Sequence, residues 1–285
     1  MPLDMTTSTM LSELPSNIDF DVSFEPTKVT DKKYVVNNAT GEYLSVVGSG
    51  FNCVSHPDFF STVQDAMTEK LDPEDLNNVT TSWRVCRNNS WVMMDTRLND
   101  VKAKIQTDNH ETTITPRIIA LHGVDGSCSN QVHFGKIDTF CTNGMVSGTL
   151  ESVKRKNTSG FNLDVFKDRL VESRSSFYDE VSMLQQWAYK TVSLNAVDDL
   201  IKSIVKSERK AEKMTQLFQK EVSVRGSNVF SLYSAFTNYA SYADQRNGFT
   251  LKQTGNDTNA SSMWEREVEV TKWISSSSFQ SLLAA

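Results

Sequence analysis

Apolar and polar residues alternate along the first half of the chain, from about residue 30 to residue 145. A period of two is typical of strands that bury one face, and Gly and Asn residues interrupt the pattern as turn residues do. The helical spacing of Phe59, Phe60 and Val63 adds one helix to this predicted sheet. The predicted hairpins join residues 33–38 to 43–50 around Gly41, and residues 82–87 to 90–96 around Asn88-Asn89.

A tight turn divides the last strand pair of this sheet. Ile118 begins an apolar run, and strand-like alternation resumes at Val132 after the sequence HGVDGS. An Asp side chain can accept a bond from the backbone two residues further on, and glycine adopts a positive φ at little cost. We therefore predict that Asp125 and Gly126 shape an architectural turn rather than a catalytic loop.

Beyond Gly148 the apolar period lengthens to about 3.6 residues, which predicts helices. Apolar residues between 166 and 188 form one stripe and those between 197 and 218 form a second, so we expect a long antiparallel helical hairpin. A third helix carries aromatic residues at intervals of three, and these rotate around its axis. Such rings can stack on unpaired bases, but a helix that is apolar on most faces is more often central to a core. The rings are Phe230, Tyr233, Phe236, Tyr239 and Tyr242.

The pattern as a whole predicts an α+β protein, with an antiparallel sheet at about residues 30–145 followed by the helical hairpin and an aromatic-rich helix. The N-terminal residues lack periodicity, which predicts mobility, and the C-terminal residues are rich in Asn, Thr and Ser, which predicts weak order. Apolar residues could nevertheless dock both segments on the core: Leu11, Leu14, Phe20 and Phe24 in the first, and Trp264, Trp273 and Phe279 in the last. The predicted parts are a mobile arm (1–27), a sheet module (28–150), a helical module packed on it (151–252) and a low-complexity tail (253–285).

Composition is that of a globular protein, with a net charge of −6 over 285 residues. No apolar run approaches the roughly 18 residues of a membrane span, and the polar, acidic N-terminus does not resemble an export signal. The four dispersed cysteines indicate a reducing compartment. We expect a cytoplasmic protein without membrane association.

Candidate catalytic chemistry is sparse. Cys53 and His56 have the spacing of zinc ligands, but no second short-spaced pair accompanies them, so we predict neither a metal site nor a cofactor. His122, Asp125 and Ser127 lie too close together on one turn for a hydrolase relay, whose side chains converge from separate elements. We therefore assign no catalytic residue and favour a non-enzymatic role.

Charge is distributed unevenly between the two halves of the chain. Residues 1–150 carry 11 Lys/Arg against 19 Asp/Glu, whereas residues 151–285 carry 18 against 16. Basic residues at helical spacing in the second half predict a cationic face that binds phosphates, although mixed Lys and Glu are also typical of any solvated helix. The predicted nucleic-acid-binding residues are Lys154, Arg155, Lys156, Lys202, Lys206, Arg209, Lys210 and Lys213.

Two functions fit this distribution of charge. The first is a non-enzymatic factor that binds or anneals single-stranded DNA in replication or recombination, with a homo-oligomer extending its groove. The alternative is a protein-interaction factor whose acidic half docks on a host defence or replication protein. A continuous basic groove favours the first, and an acidic patch with apolar residues favours the second.

Three segments resemble one family, in the same order along the chain. They are KKYVVNNATGEYLSVVGSGFNCVSHPDFFSTVQDAM, then HGVDGS with DTFCTNGMVS, then NVFSLYSAFTNYASY. Over roughly residues 30–250 the chain resembles the phage/plasmid-like proteins of domain of unknown function 932. The matching residues are Gly41, Leu44, Val47, Gly48, Pro57 and Phe60, then His122, Asp125, Gly126, Ser127, Cys141 and Asn143, then Asn228, Tyr233, Ala235, Thr237 and Tyr239.

The resemblance implies a setting more than a mechanism. Such proteins are products of phages, prophages and plasmids, so the resemblance implies a viral protein in the cytoplasm of a bacterial host. Asp138 stands where the family has a basic residue, and Met145 stands where it has leucine. No role of that basic residue, and no catalytic residue, is carried over.

Overall fold

The computed structural model describes residues 5–8, 13–138, 144–146, 152–155, 163–243 and 259–284. Antiparallel sheets in the first half precede a helical second half, so the predicted α+β class is confirmed. The strands are β1 (Met5–Ser8), β2 (Val22–Pro26), β3 (Lys32–Asn37), β4 (Tyr43–Gly48), β5 (Val79–Cys86), β6 (Trp91–Leu98), β7 (Ala103–Gln106), β8 (Glu111–Gly123), β9 (Asn130–Asp138), β10 (Gly144–Val146) and β11 (Ser152–Arg155). The helices are α1 (His56–Lys70), α2 (Leu163–Tyr189), α3 (Leu194–Ile204), α4 (Glu208–Arg225), α5 (Val229–Tyr242), α6 (Asn259–Ile274) and α7 (Ser277–Ala284). No helix among these residues is long and apolar enough to cross a membrane.

Two antiparallel sheets make up the strand-rich half. The larger has the order β1-β5-β6-β8-β9-β10, with β7 paired to β8 and β11 paired to β9, and the smaller has the order β2-β3-β4. Short connections join β5 to β6 and β8 to β9, as hairpins require, whereas β7 lies between β6 and β8 along the chain. Both hairpins predicted from the turn residues are present, because β3 pairs with β4 and β5 pairs with β6.

Both faces of the larger sheet are buried. Successive residues of a strand point to opposite faces, and the central strands follow this rule. Met94 and Ile118 join a core with helices α1 and α2, whereas Met93 and Ile119 join a second cluster with Trp264 of α6. The sheet therefore lies between two helical layers, and α6 belongs to one of them.

The second predicted helix is in fact two helices, so the expected long hairpin is wrong. Val205 ends α3 with an extended backbone, and the Ser207 hydroxyl accepts a bond from the Lys210 backbone N–H to cap α4. Helix α4 packs on α3 and α5, whereas α2 packs on α1, α5 and β7. An apolar stripe that continues across a break does not reveal the break, which is why the spacing predicted one helix.

Helix α5 lies at the centre of the helical half. Four of its five aromatic side chains are almost fully buried, from 0% exposure at Phe230 and Phe236 to 3% at Tyr233 and Tyr239, whereas Tyr242 in the last turn is partly exposed. The Phe236 ring meets Trp273 of α6 at 5.3 Å, and the Tyr233 ring meets Trp187 of α2 at 5.4 Å. The expectation that this ribbon contacts more than one neighbour is confirmed.

At both chain ends apolar residues dock on the core as their sequence allowed, whereas the predicted mobility and weak order are not found in the described residues. Residues 13–26 include β2, and they bury Ile18 and Phe20, instead of forming a mobile arm. Residues 259–284 form α6 and α7 instead of a weakly ordered tail, and Phe279 of α7 is fully buried against Trp187 at 5.4 Å. The few large apolar residues in these segments outweighed the polar composition, because each buries a large apolar area in a preformed groove.

A buried ion cluster joins α6 to the sheet. The Arg117 guanidinium donates to both carboxylate oxygens of Asp95 at 3.1 Å, and to those of Glu267 at 3.0 and 3.1 Å. All three side chains are nearly inaccessible to water. Although burial acts in the opposite direction, Arg117 holds the pKa of Asp95 below its ordinary value. The cluster therefore fixes both the position and the rotation of α6.

A second buried arginine, Arg225, forms an ion pair with Asp138. Arg225, at the end of α4, donates to the Asp138 carboxylate at 2.6 Å and also bonds Glu221. The Thr112 hydroxyl donates to the same aspartate at 2.5 Å. In this chain the acidic residue at 138 is thus balanced by a basic residue from the helical half.

Replacing Arg117 by Met tests the importance of the first cluster. We expect Arg117→Met to lower the free energy of unfolding by about 3–5 kcal/mol, because Asp95 and Glu267 would remain buried without a cation. Urea denaturation followed by circular dichroism measures the change. Arg169→Met removes an exposed Arg169–Glu172 pair and serves as the control with little expected effect. Equal stability of both variants would contradict this account of the cluster.

Candidate functional site

Three segments meet at one end of the larger sheet, and we call this region the sheet-end junction. It consists of the start of α1 (Ser55–His56), the β5–β6 turn (residues 87–90) and the end of β8 with its following loop (residues 122–127). The register brings them together, because Cys86 pairs with Trp91 and Trp91 pairs with Gly123. The junction contains the HGVDGS sequence, so it is the first candidate site.

The HGVDGS loop has the predicted turn geometry. The Asp125 Oδ1 atom accepts bonds from the Ser127 backbone N–H at 2.9 Å and from the Ser127 hydroxyl at 2.5 Å. Gly126 has a φ of +79°, a conformation that L side chains rarely adopt. A Cβ atom at Gly126 would lie 3.3 Å from Val47 and 3.5 Å from Phe51, so the loop packs closely on the smaller sheet.

The β5–β6 turn carries consecutive residues in the left-handed region. Arg87, Asn88 and Asn89 have φ values of 55°, 52° and 63°. Each such residue costs of order 1 kcal/mol, and surrounding bonds hold the turn in place. The Val124 N–H donates to the Ser90 carbonyl at 2.9 Å, and the Arg87 guanidinium lies 4.0 Å from the Asp125 carboxylate.

Two buried histidines form the centre of the junction. The Nδ1 atoms of His56 and His122 lie 2.7 Å apart, and the His56 Nε2 atom lies 3.0 Å from the Asn89 carbonyl oxygen. A carbonyl can only accept, so His56 carries its proton on Nε2 and His122 donates from Nδ1. The neutral His122 ring is then left with an unprotonated Nε2, which is buried and has no hydrogen-bond partner among the described residues.

Burial controls the protonation of this pair. Desolvation lowers the pKa of His56 to about 4 and the pKa of His122 well below its ordinary value, and in His122 the neighbouring His56 adds to this effect. Both rings are also enclosed by aromatic side chains, since Phe59 stacks on His122 at 4.8 Å and Phe20 meets His56 edge-on at 5.6 Å. The pair is therefore neutral near pH 7.

The arrangement at the junction does not favour hydrolysis or metal binding. His122 bonds His56, and Ser127 bonds Asp125, so the loop residues have partners other than those of a nucleophile relay. Burial raises the pKa of Cys53 to about 12 and that of Cys128 to about 11, which keeps both thiols protonated. Across the described part of the chain, no group of three or more His, Cys, Asp or Glu residues could hold a metal ion.

Two of the predicted nucleic-acid-binding residues form ion pairs with carboxylates of this chain. Lys210 donates to both Glu269 carboxylate oxygens at 2.8 Å, and its ammonium lies 4.4 Å from the Tyr239 ring and 4.8 Å from the Trp273 ring. Lys202 pairs with Asp198 at 2.6 Å on α3. Lys202 and the α4 residues lie on different helices, so the single predicted face is wrong.

A shorter cationic face remains on α4. Arg209, Lys213 and Lys220 lie within about 40° of one another around the helix axis, and Lys206 precedes the helix. Lys206, Arg209 and Lys220 are exposed, and Lys213 is partly exposed. No ion pair between described residues includes any of the four. We call these four residues the α4 cationic face.

The remaining predicted residues lie at or beyond the described part of the chain. Lys154 and Arg155 belong to β11, where they pair with Gln131 and Asn130 of β9. This register places them at the same end of the sheet as the HGVDGS loop. Lys156, Cys141 and Asn143 lie outside the described residues.

Comparison with protein-family models tests the family resemblance of the three motif segments. The model for the domain of unknown function DUF932 matches residues 43–274. The chain belongs to the DUF932 family. No curated protein and no solved structure matches the chain.

The limits of the DUF932 match coincide with structural elements. It begins at the first residue of β4 and ends at the last residue of α6, so both the sheet-end junction and the α4 cationic face lie inside it. Helix α6 is thus part of the DUF932 domain, as its buried contact with Arg117 requires. The strands β1 to β3 and helix α7 lie outside the matched range.

Gly126→Val tests whether the loop is architectural. The substitution forces a β-branched residue to a φ of +79° and against Val47, so we expect it to destabilise the protein by about 1–3 kcal/mol. Thermal unfolding monitored by circular dichroism checks this. Gly50→Val is the matched control, because nothing lies within 4 Å of a Cβ at that position. A Gly126→Val protein as stable as the wild type would remove the architectural interpretation.

Proposed function

We propose that this DUF932 protein is a non-enzymatic factor that binds single-stranded nucleic acid through phosphate contacts made by the α4 cationic face. The observation that carries the proposal is the set of exposed and partly exposed cations before and along α4 that form no ion pair with a described carboxylate. Cations of this kind release counterions when they meet phosphates, which provides sequence-independent affinity. The family resemblance favours a phage protein that acts in a bacterial host, where binding or annealing of single strands would serve replication or recombination.

The geometry of α4 suits an extended backbone ligand. Arg209 and Lys220 are eleven residues apart, which corresponds to about 16 Å along the helix. Gln216 lies between them on the same face and accepts a bond from Lys213 at 3.3 Å. A row of this length can follow several phosphates of one strand, and a homo-oligomer would extend it.

The mode of binding differs from the one that the sequence indicated. Four of the five α5 rings, those of Phe230, Tyr233, Phe236 and Tyr239, are enclosed in the core, so they are closed to nucleobases. Binding would therefore depend mainly on charge, with little preference between sequences and a strong dependence on salt. Lys154 and Arg155, on β11, would add cations at the edge of the sheet.

A second candidate function is docking of a protein partner. An open groove of about 350 Å³ lies beside α1. Two acidic residues, Glu13 and Asp19, and two apolar residues, Leu14 and Phe60, are among those that line it. This combination of acidic and apolar groups suits a basic segment with apolar anchors. The groove lies in the acidic half of the chain, which favours a host protein over a nucleic acid as its occupant.

Neutralising the α4 cationic face distinguishes the two functions. We expect the variant with Lys206→Gln, Arg209→Gln, Lys213→Gln and Lys220→Gln to bind a fluorescent single-stranded oligonucleotide more weakly, whatever its sequence. The slope of log K against log salt concentration should fall by up to about 0.7 for each phosphate contact that is lost. Fluorescence anisotropy titrations at several salt concentrations measure both quantities.

The matched control removes the same charge from the acidic half. Lys28, Lys32, Lys102 and Lys104 are exposed or partly exposed, and their replacement by Gln should leave the salt slope nearly unchanged. Equal losses in both variants would show an effect of net charge alone. If the wild type does not bind the oligonucleotide at low salt, the nucleic-acid proposal fails and the protein-partner function takes its place.

A further inference from the structure

The sheet-end junction depends on one bond between two neutral imidazoles. His56 belongs to α1 and His122 belongs to β8, and the His56 Nε2–H also reaches the Asn89 carbonyl of the β5–β6 turn. Each of the three segments is thus connected to the others through these two rings. The rings are fully buried, and neither is bonded to a carboxylate in the described part of the chain.

A proton added to either imidazole ring cannot form a favourable hydrogen bond in this arrangement. On His56 Nδ1 it would meet the Nδ1–H of His122, so one tautomer would have to change. On His122 Nε2 it would enter a site where the described part of the chain offers no acceptor, against the stacked Phe59 ring. An unpaired charge in such surroundings is costly unless the structure opens to water.

Few charged groups near the pair could compensate for that proton. Asp125, on the β8–β9 loop, acts on His56 in the direction that favours the charged ring, but Arg87 of the β5–β6 turn lies 4.0 Å from the same carboxylate. Asp58, in the first turn of α1, is exposed. The other neighbours are the aromatic rings of Phe20, Phe59 and Phe60, which carry no charge.

We propose that the His56–His122 pair is a pH-sensitive latch, whose protonation releases the start of α1, the β5–β6 turn and the HGVDGS loop from one another while the helical half stays folded. The strained turn at Arg87-Asn88-Asn89 favours this local opening, because the bonds from His56 and Ser90 hold it in an otherwise unfavourable conformation. The latch is independent of the nucleic-acid proposal, since the α4 cationic face lies in the helical half.

The direction of the pH effect follows from the protonation states. Each histidine is neutral in the closed junction, whereas an exposed histidine has a pKa of about 6.5. The open form therefore binds more protons, so the latch is fully effective above about pH 6.5 and weakens as the pH falls toward 4. Between pH 7 and pH 5 the open fraction should rise about 20-fold for each histidine, and about 500-fold for the pair.

Hydrogen exchange of the full chain, read by mass spectrometry at pH 7 and pH 5, tests the latch. After correction for the intrinsic exchange rate, we expect protection in residues 55–60, 87–92 and 121–127 to fall by about 500-fold, while α4 and α5 keep theirs. A uniform loss along the chain, or protection that is independent of pH in the junction, would overturn the proposal.

Two histidine variants separate the latch from other acid effects. In His122→Asn the amide nitrogen can still donate to His56 Nδ1, but only one ring titrates, so the pH effect should shrink to about 20-fold. If this variant does not fold, His56→Gln replaces it, because its amide can still donate to the Asn89 carbonyl. His110→Gln, on the β7–β8 turn, is the control and should keep the full effect. An unchanged 500-fold effect in the folded variant would contradict the latch.

Discussion

The central physical constraint is the burial of both faces of the larger sheet. Strands that bury only one face can leave the other to water, but here Met93 and Met94 point to opposite faces and both are fully buried. A helical layer must therefore cover each side. The Arg117 cluster fixes the second layer, because its two carboxylate partners come from the sheet and from α6. A sheet, a distant C-terminal helix and one buried cation thus depend on one another.

The burial of both sheet faces determines which residues remain available to bind a partner. Four of the five α5 rings that could have stacked on bases fill the interior, and Lys210 joins α4 to Glu269 between two rings. What remains for a partner is the exterior: the α4 cationic face, the acidic groove beside α1, and the loops of the sheet-end junction. The junction has strained turns and a buried imidazole pair, so its chemistry concerns its own stability more than a substrate.

The sequence predicted those features that depend on local patterns. The α+β class, the hairpin at Asn88-Asn89 and the turn at Asp125 and Gly126 follow from period and turn chemistry alone. Contacts between residues distant along the chain could not be predicted from these local patterns. The spacing of Lys202 and Lys213 did not reveal the capping of α4 by Ser207. Phe279 was a candidate for docking, but the polar composition beyond residue 253 did not predict helices α6 and α7. The sequence pattern also does not predict the hydrogen bond between His56 and His122, because these residues are distant along the chain.

Photo-crosslinking of a bound single-stranded oligonucleotide, followed by peptide mass spectrometry, is the most direct test of the account. The method identifies the surface that touches the strand, independently of affinity. If function depends on the cations that the folded interior leaves free, crosslinks should concentrate in residues 206–220 and be absent from the buried aromatic residues of α5. Crosslinks to Tyr233 or Tyr239, or to the acidic residues beside α1 in place of α4, would contradict the account.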